Sequence, residues 1–138
     1  VASIWRSLRY FSREEFGVDA GRMDHALLRG LDAWRAALGR PVHVNESFAL
    51  QGHVADRQHG LGRAVDCWAA AVPFGEAWLA AEAEPAFTGL GLYPWWTPPG
   101  FHLDTRDGPR VRWWRDQAGL YHALDIEAVR ALVRLGHL

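Results

Sequence analysis

The hydrophobic period of this chain changes at Pro41, and that change narrows the folds open to it. Before it, Met23, Leu27, Leu31, Trp34 and Leu38 recur at the spacing of one helix face, and Gly39 stands where a left-handed C-terminal cap belongs. After it, Val42, Val44 and Phe48 alternate with His43, Asn45 and Ser47, which is the period of a half-buried strand.

The rest of the chain extends both themes. Ser12-Arg13-Glu14-Glu15 fits a capping box at a helix start, with Phe11 and Phe16 as a hydrophobic staple around it. A polar, glycine-containing stretch spans residues 51–62. Residues 63–68 then read as a strand with Ala64, Asp66 and Trp68 on one face and Val65 and Cys67 on the other. Pro73 opens a short helix through Ala83. Residues 88–93, 101–105 and 110–114 are further strands, separated by Pro/Gly-rich turns. Asp125 caps a last helix whose apolar side is Ile126, Val129 and Val133, stopped by Gly136. A leading helix, short strands and a closing helix predict an α+β fold: a single domain over residues 1–138, with a central antiparallel sheet flanked by helices.

A chain of 138 residues is long enough to bury a core without staples. Its formal net charge of -1, with no polybasic tract, argues against nucleic acid as a partner. No window approaches the roughly 18 continuous apolar residues of a membrane span, so membrane insertion is not expected. The single cysteine, Cys67, rules out an intramolecular disulfide and a cysteine-built zinc framework, and reads as a buried structural thiol. Eight tryptophans, two pairs among them (Trp95 with Trp96, Trp113 with Trp114), are more than such a core needs. They either fill the core or line a groove, where aromatic faces bind sugar or peptide backbone.

The chemistry-bearing segment is His59-Gly60-Leu61-Gly62-Arg63-Ala64-Val65-Asp66. A histidine in a loop entering a strand, and an aspartate well along that strand, can converge on one point. Gly62 permits a tight turn between them, and small Ala64 leaves room on the Asp66 face. His102, after the Pro98-Pro99-Gly100 turn, is the candidate third ligand from a neighbouring strand. Two imidazoles and a carboxylate suit a catalytic zinc, which takes three protein ligands plus water. Spacing alone leaves open the alternative that these histidines are structural.

The segment closely resembles the His-x-x-Gly-x-Ala-x-Asp signature of the zinc D-Ala-D-Ala carboxypeptidase and phage endolysin family, whose fold hedgehog signalling domains share. Gly89-Leu90-Gly91-Leu92-Tyr93-Pro94, Phe101-His102-Leu103-Asp104 and Arg110-Val111-Arg112-Trp113 resemble the later motifs of one branch of it. The opening, Tyr10-Phe11-Ser12 to Glu15-Phe16 and on to Trp34-Arg35, follows the same pattern. The resemblance runs in order from about Tyr10 to Trp114. It implies a hedgehog/D-Ala-D-Ala peptidase-like fold, with Zn2+ held by His59, Asp66 and His102. It also implies metal-assisted hydrolysis of amide bonds in peptidoglycan stem peptides, as carboxypeptidase or cross-link endopeptidase, with a general base to move the proton. Such an enzyme acts outside the cytoplasm, in periplasm or cell wall, or is phage-encoded, and a domain this size is expected to work as a monomer. The first ten residues lack a signal-peptide core, so export implies a trimmed chain or another route.

Three departures from the family pattern bear on mechanism. Many members carry the base three positions before the last zinc histidine, where this chain has Pro99. Asp104 shares the strand face of His102 and is the candidate for that role, or for orienting the zinc site, or for a plain ion pair with Arg106 or Arg112. Glu46 is an alternative base or simply a strand end. Glu46-Ser47-Phe48-Ala49 also replaces the usual Ser-Gly-Tyr-Arg, whose arginine grips a substrate carboxylate. Arg57, where a serine usually stands, is the candidate substitute for substrate binding, or a solvated loop residue. His53 is a candidate oxyanion stabiliser or a solvated loop histidine, while His25, His122 and His137 show no convergent partners. The same losses support an alternative: a non-catalytic module on this fold that binds cell-wall peptide or a protein.

Overall fold

The structure, a computed structural model, describes residues 3–50 and 57–138. They form an α+β domain of four helices and one six-stranded sheet. In chain order these are α1 (Ile4–Ser7), α2 (His25–Leu38), β1 (Val42–Glu46), β2 (Ala64–Ala69), α3 (Phe74–Glu82), β3 (Gly89–Tyr93), β4 (Gly100–Asp104), β5 (Val111–Arg115), β6 (Tyr121–Ala123) and α4 (Ile126–Arg134). Strand order is β1-β2-β4-β3-β5-β6, antiparallel except where β3 meets β5. Among the described residues no helix is long and apolar enough to cross a membrane.

The long helix sits where the apolar period places it. The carboxylate of Asp24 accepts from the Leu27 N–H at 3.2 Å, satisfying a donor that the first turn leaves over. Gly39 ends α2 in the left-handed region at φ 63°, its N–H returning to the Arg35 carbonyl. Leu27, Leu28, Leu31 and Trp34 are buried against the sheet, and the Trp34 indole donates to the Ala77 carbonyl at 3.0 Å. That bond ties α2 to α3. Trp34 also meets Phe87 and Phe101 edge-on, an arrangement aromatic quadrupoles favour.

Several local expectations need correction. Ser12 and Glu15 do form the capping box, but it opens a single 3-10 turn, Arg13–Phe16, not an α-helix. In α4 the buried residues are Ala128 and Leu132, whereas Ile126 and Val133 are 61% and 56% exposed. The pair that docks is four residues apart, so it stacks on one face, and small Ala128 lets the helix approach closely. Strand β1 stops at Glu46, leaving Phe48 outside it, and the short elements α1 and β6 lack a readable period.

The two faces of the sheet divide the molecule. Val65, Cys67, Leu90, Leu92, Phe101, Leu103 and Trp114 point into the helical core. Alternation sends Ala64, Asp66, Trp68, Gly89, Gly91, Tyr93, His102, Asp104 and Trp113 to the second face. Cross-strand register then lines up Asp66, His102, Gly91 and Trp113 in one lateral row. The register shifts between Val44 and Glu46, so Glu46 stands opposite Asp66 at the end of that row. Plain alternation would have turned Glu46 towards the core with Val42 and Val44; the bulge re-aims it.

Candidate metal centre

His59 enters the site from a 3-10 turn, His59–Leu61, immediately before β2. Gly62 closes that turn at φ 70°, and a Cβ there would lie 1.9 Å from the Arg22 carbonyl oxygen. Its own carbonyl accepts from the Asp24 N–H at 2.8 Å, so the loop is pinned to the start of α2. Only glycine satisfies both the backbone angle and the close approach.

The two histidines offer opposite nitrogens. Nδ1 of His59 lies 2.7 Å from the Ser47 carbonyl, which can only accept, so Nδ1 carries the proton and Nε2 faces Asp66 Oδ1 at 3.3 Å. His102 is reversed: Nε2 donates to Asp104 Oδ2 at 2.7 Å, and Nδ1 faces the same Asp66 oxygen at 3.1 Å. His59 and His102 are almost fully buried, and Asp66 is 9% exposed. One ligand atom from each of the three lies within 4.8 Å of the others. Ligands of a tetrahedral zinc with bonds of about 2.0–2.1 Å stand about 3.3 Å apart, close to the two nitrogen–oxygen spacings found here. Two imidazoles and one carboxylate so placed can hold a metal ion. Two imidazole nitrogens and a carboxylate oxygen are donors that zinc and other first-row divalent ions accept.

Charge reinforces this geometry. Burial disfavours the charged form of Asp66, yet hydrogen bonds from His102 and His59 outweigh it and bring its pKa down to about 2. Burial likewise opposes the charged form of His102, but Asp104 and Asp66 raise it to about 9. His59 is raised by Asp66 despite its burial. The opposed shifts leave imidazolium charge balancing the Asp66 carboxylate.

The structure brings His59, Asp66, His102 and Asp104 together. Asp104 is fully buried on the far side of His102 from Asp66, and its ion pair is with Arg106. Arg112 is engaged elsewhere, donating to Glu82 at 2.6 Å. Arg57 is exposed in the turn before His59, its carbonyl accepting from the Leu61 N–H. His53 lies outside the described residues. Cys67 is buried on the core face, where burial pushes its thiol well up, in keeping with a structural role. His122 does have a partner, Asp116, at 2.7 Å.

The tryptophans lie on both faces of the sheet. Trp34 and Trp114 belong to the core. On the second face, Trp68 stacks on His43 with centroids 4.4 Å apart, Trp96 stacks on Tyr93 at 4.0 Å, and Trp113 meets the His102 ring at 5.2 Å. The contact of Trp113 with the site is not readable in the sequence, because only strand pairing shows that it shares a row with His102. Comparisons with protein-family models, curated proteins and solved structures found no match to this chain.

Proposed function

We propose that this protein is a zinc peptidase that hydrolyses amide bonds of peptidoglycan stem peptides, on a fold of the hedgehog and D-Ala-D-Ala peptidase type. The observation that carries the reading is the buried His59, Asp66, His102 triad, whose ligand atoms converge and whose rings are held from behind by Ser47 and Asp104. Zinc, when bound there, supplies a Lewis-acid centre for amide hydrolysis at neutral pH. The order of the sequence motifs around the triad supports the family and the substrate class.

The chain's own residues divide the remaining work. Asp104 is held by His102 and Arg106 on the side of the ring away from Asp66, so its role is to orient His102. Glu46 is the carboxylate placed to move the proton, since the bulge sets it beside Asp66 on the same face. The stacked pairs of His43 with Trp68 and Tyr93 with Trp96 flank Gly100 in the neighbouring row, and together offer flat surfaces along one side of the triad for a peptide. Arg57, exposed before His59, is available to a substrate carboxylate. The enzyme works as a monomer outside the producing cell's cytoplasm or from a phage.

The test is release of new amine ends from purified sacculi. EDTA abolishes it, added zinc restores it, and elemental analysis finds about one zinc per chain. Turnover indifferent to chelator sinks the proposal. Tight binding to sacculi without new amine ends replaces it with a binding module.

A further inference from the structure

We propose that Arg106 is a positioning residue of the metal centre, acting through Asp104 to decide which nitrogen of His102 a cation meets. The inference rests on reading the triad as a metal site. Asp104 is fully buried, and a buried carboxylate is stable only when its charge and lone pairs are engaged. Arg106 supplies most of that engagement. Its Nε donates to Oδ1 at 2.9 Å and to Oδ2 at 3.1 Å, Nη2 donates to Oδ2, and its own backbone N–H donates to Oδ1 at 3.1 Å. A guanidinium fork gripping both oxygens fixes the plane of the carboxylate, not merely its charge. The fixed plane leaves Oδ2 aimed at Nε2 of His102, and Nδ1 is thereby turned to Asp66.

The space for this assembly is built by β3 and β5. A Cβ on Gly89 would fall 2.1 Å from the Asp104 carboxylate, so the carboxylate lies where a side chain of β3 would stand. A Cβ on Gly91 would fall 2.5 Å from the Trp113 indole, which crosses that strand to reach the face of His102. The Arg106 guanidinium sits 5.0 Å from the centre of the same indole, within cation–π reach. The Trp113 N–H donates to the Tyr93 hydroxyl at 3.2 Å, anchoring the ring. Trp113 thus backs the guanidinium and walls in the imidazole at once. An imidazole so enclosed cannot flip to present Nε2 without giving up Asp104.

The experiment measures Zn2+ affinity by chelator competition and the visible spectrum of the Co2+-loaded protein, for wild type, R106Q, R106K, D104N and D104N/R106Q. Removing the supports of a metal-bound histidine typically weakens metal binding by about 10–100-fold, and R106Q is expected to fall in that range with an altered Co2+ spectrum. R106K keeps the charge but not the fork and should fall between R106Q and wild type. Because Arg106 acts through Asp104, D104N/R106Q should lose no more than D104N alone. Should R106Q fail to fold, R106K and the Co2+ spectrum decide. The inference is overturned if wild type binds Zn2+ tightly and both Arg106 variants match it, or if R106Q costs as much with D104N as without it. A wild type that binds no Zn2+ overturns the metal-site reading itself, a result distinct from either of those.

Discussion

Strands β2, β3 and β4 carry two different problems on their two faces. On the core face Val65, Leu90, Leu92, Phe101 and Leu103 are buried and are held by packing alone. On the second face Asp104 and His102 are buried to a similar depth, at 0% and 3% exposure, yet they are held by hydrogen bonds and opposed charges. Burying charge costs free energy that pairing only repays, and well-packed apolar residues in place of a buried charged set are often neutral or stabilising. The core face therefore accounts for the fold. The second face does not, and its presence is what the proposed chemistry would account for.

The sharpest break in that contrast is H102A. Removing a ligand should take zinc content from about one per chain to near zero and sacculus hydrolysis to background, with the circular dichroism of a folded protein retained. A variant that keeps its zinc would erase the distinction between the faces. E46Q should leave zinc content intact while lowering turnover by about 10²–10⁴-fold, the usual worth of a general base. Wild-type kcat in E46Q would remove Glu46 from the mechanism. One residue along from His102, on the other face, L103A should destabilise by about 2–5 kcal/mol, as cavities left by buried leucines do. Denaturant melts would show it, and zinc affinity per folded molecule should not move.

G91A sits where the two faces communicate. The added methyl meets the Trp113 indole, and overpacking of this kind costs about 1–3 kcal/mol. Because the displaced ring leans on His102, zinc affinity should fall as well, unlike in L103A. Equal affinity in G91A and wild type would show the ring to be a bystander.

The mildest lever is pH. His102, raised from 6.5 to about 9, stabilises the metal-free protein fully below 6.5, and that contribution is lost as pH climbs through about 9. Asp66, lowered from 3.8 to about 2, contributes above 3.8 and stops doing so as pH falls through about 2. Melts in EDTA should accordingly be highest between about pH 4 and 6.5. Zinc must displace the extra proton of His102, and that of His59 where it is charged, so its apparent affinity should rise by at least about tenfold per pH unit from about pH 6 to 8. Calorimetry in buffers of different ionisation heat should count between about one and two protons released at pH 7, because His59 is raised as well as His102; a count near zero would contradict this charge balance.

Much of the molecule is legible in its sequence. The period of α2, its Gly39 end, and the faces of β2 and β4 all follow from short-range chemistry that the chain states locally. What stays hidden depends on pairing between distant segments. The convergence of His59, Asp66 and His102 needs the β2–β4 register. Trp113 reaches His102 only because β5 runs parallel beside β3 across Gly91. Arg106 lies two residues past Asp104, and the sequence offers Arg112 as an equal partner until Glu82 is seen to occupy it. Glu46 is hidden differently, since a bulge overrides the alternation from which its face would be read. For α4, hydrophobicity names three apolar residues, but docking selects the small one and its neighbour a turn later.

The bulge in β1 has a consequence away from chemistry. A sheet whose outermost strands are long and regular invites a second sheet to add on, one route to aggregation. Here the rims are β1, with its ladder broken near Asn45, and β6, only three residues from Tyr121 to Ala123. Neither gives an incoming strand a straight template. Strand addition between copies of this chain is thereby disfavoured at both rims.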